Sequence, residues 1–171
     1  MRSLLAFLAA MVVVLLLRST LLSPFAARGI VLDVLAFATV FWALRHGAAW
    51  GATFGFMVGL AADLDATHWM GRHALVLTVV GYAIGRLART VERESVRTHL
   101  VLLAIATALH QAWVVPFELG GFVGLGSGWP YLLGRVFIGA LATSLAGAVV
   151  LFVARRLFGK SVFGNALVHS G

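Results

Sequence analysis

Six apolar runs fill most of the chain, at roughly 3–23, 29–44, 47–62, 71–89, 99–117 and 130–155, with only short gaps between them. This pattern limits the possible folds more than any motif does. A helix crossing the ~30 Å hydrocarbon core needs ~20 apolar residues, fewer where the bilayer thins. The runs lack the alternating ten-residue pattern of membrane-spanning β-strands. The expectation is an all-α integral membrane protein with six transmembrane helices in one bundle over residues 1–159. A short C-terminal tail, 160–171, follows. Composition closes off the soluble alternative: 61% of residues are hydrophobic, 11% are charged, and mean hydropathy is +1.01. A soluble domain this apolar would have too little polar surface to face water.

The formal net charge of +7 comes from 13 Lys and Arg against 6 Asp and Glu. In a soluble protein that excess would suggest nucleic acid. Here the basic residues fall between apolar runs, so they report topology instead. With six spans, one side carries Arg2, Arg45, Arg86, Arg89, Arg93, Arg97, Arg155, Arg156 and Lys160. The other carries Arg18, Arg28, Arg72 and Arg135. Nine against four predicts a multi-pass protein of a cytoplasmic (inner) membrane with both termini in the cytoplasm. The first run also has signal-peptide features. Its "SPFAAR" would put Phe25 where a cleavage site needs a small residue, so the run is expected to stay as a helix. The polar stretch "GRLARTVERESVRTH" (85–99) is expected to continue the fourth helix, and "GGFVGLGSG" (120–128) to form an outer loop.

Within the third run, Gly47, Gly51, Gly55 and Gly59 recur every fourth residue, and the next step lands on Asp63. Helices in lipid associate by close packing, which small residues permit. Each step of four drifts ~40° on a straight helix, so Gly47 and Gly59 point ~120° apart. The ridge should therefore wind across two neighbours, closest at Gly51 and Gly55. Gly47, at the membrane edge, should tolerate change. Gly81 and Gly85 make the fourth helix a candidate neighbour. Packing within the chain is favoured over a subunit interface.

Ionisable residues at membrane depth are functional candidates. Arg18, Asp33, Asp63, Asp65, His68, Arg72, His73, Glu118 and Arg135 fall on the outer side, with His110 and Gln111 deeper in the fifth helix. Asp63 continues the glycine ridge and should face the bundle interior or a partner. There a carboxylate needs an opposite charge or several donors. Arg18, Arg72 and Arg135 are all within reach, and the sequence does not choose among them. No metal-binding spacing, nucleophile elbow or phosphate-binding loop is present. With no cysteine either, the expectation is no catalytic residue, no metal, no cofactor and no enzyme.

The third-to-fourth helix unit carries a more specific pattern. Gly59, Leu60 and Asp63 form a G-L-x-x-D step; Gly71, Ala74 and Leu75 open the next helix; Gly81, Tyr82 and Gly85 form G-Y-x-x-G. In these residues, and in its length and six short-looped runs, the chain resembles the rod shape-determining protein MreD family. The loop "LDATHWM" departs from the family's usual Ser/Gly/Pro-rich form. The resemblance implies a non-enzymatic scaffold of the cell-elongation machinery. It implies a bitopic partner, MreC, and through it links to the MreB cytoskeleton, the SEDS glycosyltransferase RodA and the elongation transpeptidase. It also implies a bundle similar to the S-components of energy-coupling-factor transporters. The alternative is a small-molecule-binding, S-component-like transporter subunit that uses the outer charged cluster as a pocket.

Overall fold

A computed structural model describes residues 2–21, 32–64, 69–89, 96–120 and 125–158. Among these residues there are six helices and no strand. Helix α1, Arg2–Leu16, runs on into a π-helical turn, Leu17–Leu21. Then come α2, Val34–His46; α3, Ala48–Asp63; α4, Arg72–Leu87; α5, Val96–Glu118; and α6, Leu125–Phe158. Among the described residues two stretches are long and apolar enough to cross a membrane, Arg97–Glu118 in α5 and Gly128–Val150 in α6. Helices α2, α3 and α4 have 13, 16 and 16 residues. At ~1.5 Å per residue they reach ~20–24 Å.

Several helix ends differ from the sequence expectation, each for a local reason. Helix α2 begins at Val34 rather than near residue 29, because Asp33 is its N-cap and accepts the Ala36 N–H at 3.0 Å. Helix α4 ends at Leu87 in a tighter turn, where the Arg89 N–H donates to Arg86 O at 3.3 Å; residues 90–95 of the expected extension lie outside the described residues. Helix α6 begins at Leu125, so part of the expected outer loop 120–128 is its first turn. Gly47 separates α2 from α3 with φ 86° and ψ −175°. Only glycine occupies that region readily. Its added Cβ would meet nothing within 4 Å, yet the backbone itself excludes other residues. The expected tolerance of Gly47 is thus corrected.

The glycine ridge is filled from within the chain. An added Cβ on Gly51 would lie 2.6 Å from the Gly81 carbonyl oxygen, on Gly55 2.6 Å from the Leu77 carbonyl carbon, and on Gly59 2.5 Å from Ala74 Cα. Going the other way, one on Gly85 would lie 2.5 Å from Ala48 Cα. The partners descend along α4 as the glycines ascend α3, so the two helices are antiparallel with backbones in contact. Gly51 and Gly55 also border α2, where Ala43 Cβ and Thr39 Cγ2 would stand 2.6 and 3.1 Å from the added atoms. The ridge does meet two neighbours, but Gly59 is as tight as Gly51 and Gly55. Ala74, Gly81 and Gly85 keep α4 slim along most of its length, so the crossing is long. At the far end, Phe7 of α1 packs edge-on against Trp42 and Phe54, with ring centroids 5.5 and 5.3 Å apart.

Candidate functional site

Six of the buried polar residues, Asp33, Asp63, His73, His110, Gln111 and Thr143, are linked at one end of the bundle. Three of them sit at helix starts or ends, where the chain leaves free backbone N–H groups or turns. Asp63 closes α3 and is fully buried. Its two carboxylate oxygens accept the N–H groups of His73 and Ala74, at 3.2 and 3.0 Å. These are first-turn amides of α4, so the carboxylate meets both unpaired donors and the positive end of the helix dipole. Gly71, with φ 92°, turns the chain into that helix. Among the described residues no arginine pairs with Asp63. The expected Arg18, Arg72 or Arg135 partner is therefore corrected: backbone amides satisfy the carboxylate. Asp65 and His68 lie outside the described residues.

Asp33 is the second buried carboxylate. One oxygen caps α2; the other accepts from His110 Nδ1 and, at 3.3 Å, from the Gln111 side-chain amide. His110 Nε2 in turn lies 2.9 Å from His73 Nδ1, within hydrogen-bond distance. The Asp33 N–H donates to Thr143 Oγ1 at 3.0 Å, which ties α2 to α6. Arg135 continues the chain of contacts: it donates to Gln111 Oε1 at 3.4 Å, to the Tyr131 hydroxyl at 2.8 Å and to Glu118 at 3.2 Å. Five helices are thus connected by one polar network. A buried polar network fixes helix register, because each partner lost leaves another unpaired.

This network borders a cavity of about 710 Å³, lined by Arg18, Arg72 and Arg135 together with Asp33, His73, His110, Gln111 and Glu118. The three arginines proposed as partners of Asp63 thus come together, but around open space. Sequence reasoning placed Asp33 and His73 in the outer charged cluster, the pocket of the alternative reading, and His110 and Gln111 deeper in the fifth helix, without connecting the four. The available signals were an aspartate just before an apolar run and a His-Gln pair inside one. Thr143 gave no signal. Among the described residues no group of three His, Cys, Asp or Glu side chains is placed to hold a metal.

Comparison with known proteins gives one match. No curated protein and no solved structure matches the chain. The model of the family described as rod shape-determining protein MreD matches residues 1–127, covering α1 to α5 and therefore Asp33, Asp63, His73 and His110. With a helical structure holding two membrane-length apolar helices, the chain belongs to the MreD family of shape-determining membrane proteins.

Proposed function

We propose that the chain is a non-enzymatic scaffold of the bacterial cell-elongation machinery. It crosses the cytoplasmic membrane six times with both termini inside and binds a MreC-like bitopic partner. Through that partner it helps organise peptidoglycan synthesis by the RodA-type glycosyltransferase and the transpeptidase. The family match over residues 1–127 carries this reading. The geometry supports it and changes one part. Because α2 and α4 fill the glycine ridge, the partner's helix meets a different face, and the ridge serves to keep the scaffold rigid. Charge placement supports the orientation, nine basic residues against four. Affinity purification of the full chain from its own membranes tests the proposal. A single-span, MreC-like protein should copurify in constant ratio.

One observation favours a second reading. A cavity of about 710 Å³ is within the usual range for small-molecule pockets, ~300–1,000 Å³. It suits an S-component-like subunit of a transporter. In that case the purification would yield an ATPase and its membrane subunit in place of the bitopic protein.

A further inference from the structure

We propose that the cavity at the Arg18 end of the bundle binds a phosphate group, and that the phosphate is the headgroup of a lipid whose chain lies along α1. Arg18, Arg72 and Arg135 reach this cavity from three different helices. Arg135 is matched by Glu118 at 3.2 Å, whereas among the described residues Arg18 and Arg72 meet no carboxylate. Asp33 lines the same cavity, but its oxygens are taken by Ala36, His110 and Gln111, and among the described residues it forms no ion pair with an arginine. Arg18 Nη1, Arg72 Nε and Arg135 Nε are each buried without a hydrogen-bond acceptor. Buried donors on charged groups are almost always satisfied. The three arginines line one cavity, and an anion held there would meet three positive charges.

The donor set selects the anion. A guanidinium presents a planar fork that matches carboxylate or phosphate equally well. Three guanidinium groups that line one cavity from different helices are best matched by an acceptor with oxygens on several sides, which a tetrahedral phosphate has and a planar carboxylate lacks. The walls select the carrier. Helix α1 packs on α2 and α3, but its backbone does not closely approach α5 or α6. The cavity occupies that gap, between Val12, Leu15 and Leu16 on one side and Glu118 and Arg135 on the other. Val12 and Leu16 are 50% and 57% exposed. In a bilayer such a gap between helices is filled by a hydrocarbon chain.

The test uses the purified full chain in detergent, with tryptophan fluorescence following thermal unfolding. Phosphatidylglycerol should raise the midpoint, and phosphatidylcholine, whose choline cation opposes the arginines, should not. Arg18→Gln and Arg72→Gln should need at least about tenfold more phosphatidylglycerol for the same rise, equivalent to ~1.4 kcal/mol of lost binding. The lysine variants should fall between. Arg86→Gln, at the opposite end of α4, should behave as wild type. A rise with inorganic phosphate equal to that with the lipid, lost in the same variants, would keep the phosphate site and overturn its lipid carrier. Equal stabilisation of wild type and glutamine variants by phosphatidylglycerol would overturn the site. If the glutamine variants do not fold, native mass spectrometry of the wild type decides: equal retention of the two lipids refutes the proposal, and selective retention of phosphatidylglycerol supports it.

Discussion

Replacing Asp63 by asparagine should destabilise the bundle by ~2–4 kcal/mol. The figure follows from what the carboxylate touches. It receives two backbone N–H groups, at 3.2 and 3.0 Å, with the side chain fully buried. Hydrogen bonds to a charged group are worth ~1.5–3 kcal/mol each. Asparagine keeps one acceptor and turns the other position into an NH₂ donor facing an N–H donor, so one bond is lost and a buried donor is left unpaired. Removing the charge from the N-terminus of α4 adds ~0.3–2 kcal/mol. The same geometry predicts that charge exchange fails. In Asp63→Arg with Arg72→Asp, nothing accepts the α4 amides, so the double variant should be no more stable than Asp63→Arg alone. Reversible unfolding in mixed micelles, read by tryptophan fluorescence, measures all three. A loss under ~0.5 kcal/mol for Asp63→Asn, or recovery of stability by the exchange, would refute the capping account and restore an arginine partner.

The glycines separate two mechanisms. Gly55→Ala should lose ~1–3 kcal/mol by overpacking against Leu77 backbone, and Gly47→Ala a similar ~1–3 kcal/mol from backbone strain alone. Gly126→Ala should be neutral or slightly stabilising in the same melts, since Gly126 is helical and its added Cβ meets nothing. Glu118→Gln should change stability by less than ~1 kcal/mol, because its pair with Arg135 is partly exposed; a double-mutant cycle checks this. Cysteine scanning tests orientation without background, as the chain has no native cysteine: Gly126→Cys should react with an impermeant thiol reagent in intact cells and Arg93→Cys should not.

Hydropathy made the helices legible because burial in lipid demands uninterrupted apolar runs. It could not fix their ends, which depend on single groups such as Asp33 capping α2 or the left-handed Gly71 before α4. The ladder announced close packing, and Gly81 and Gly85 of α4 pointed to the neighbour. The partner of Asp63 stayed hidden because sequence reading pairs charges with charges, whereas these donors are backbone amides that every helix start presents. The Asp33–His110–His73 chain spans 77 residues of sequence. No spacing rule reaches that far, so only the packed fold brings these side chains together.

Deleting the gene in its own bacterium and imaging the cells tests the central assignment most directly. A shape-determining scaffold predicts that rods become round or swollen. A plasmid copy of the wild-type gene should restore the rod, and a copy encoding Asp63→Asn should restore it poorly in proportion to its lost stability. Cells that stay rod-shaped with normal dimensions after deletion, with no second copy of the gene present, would contradict it.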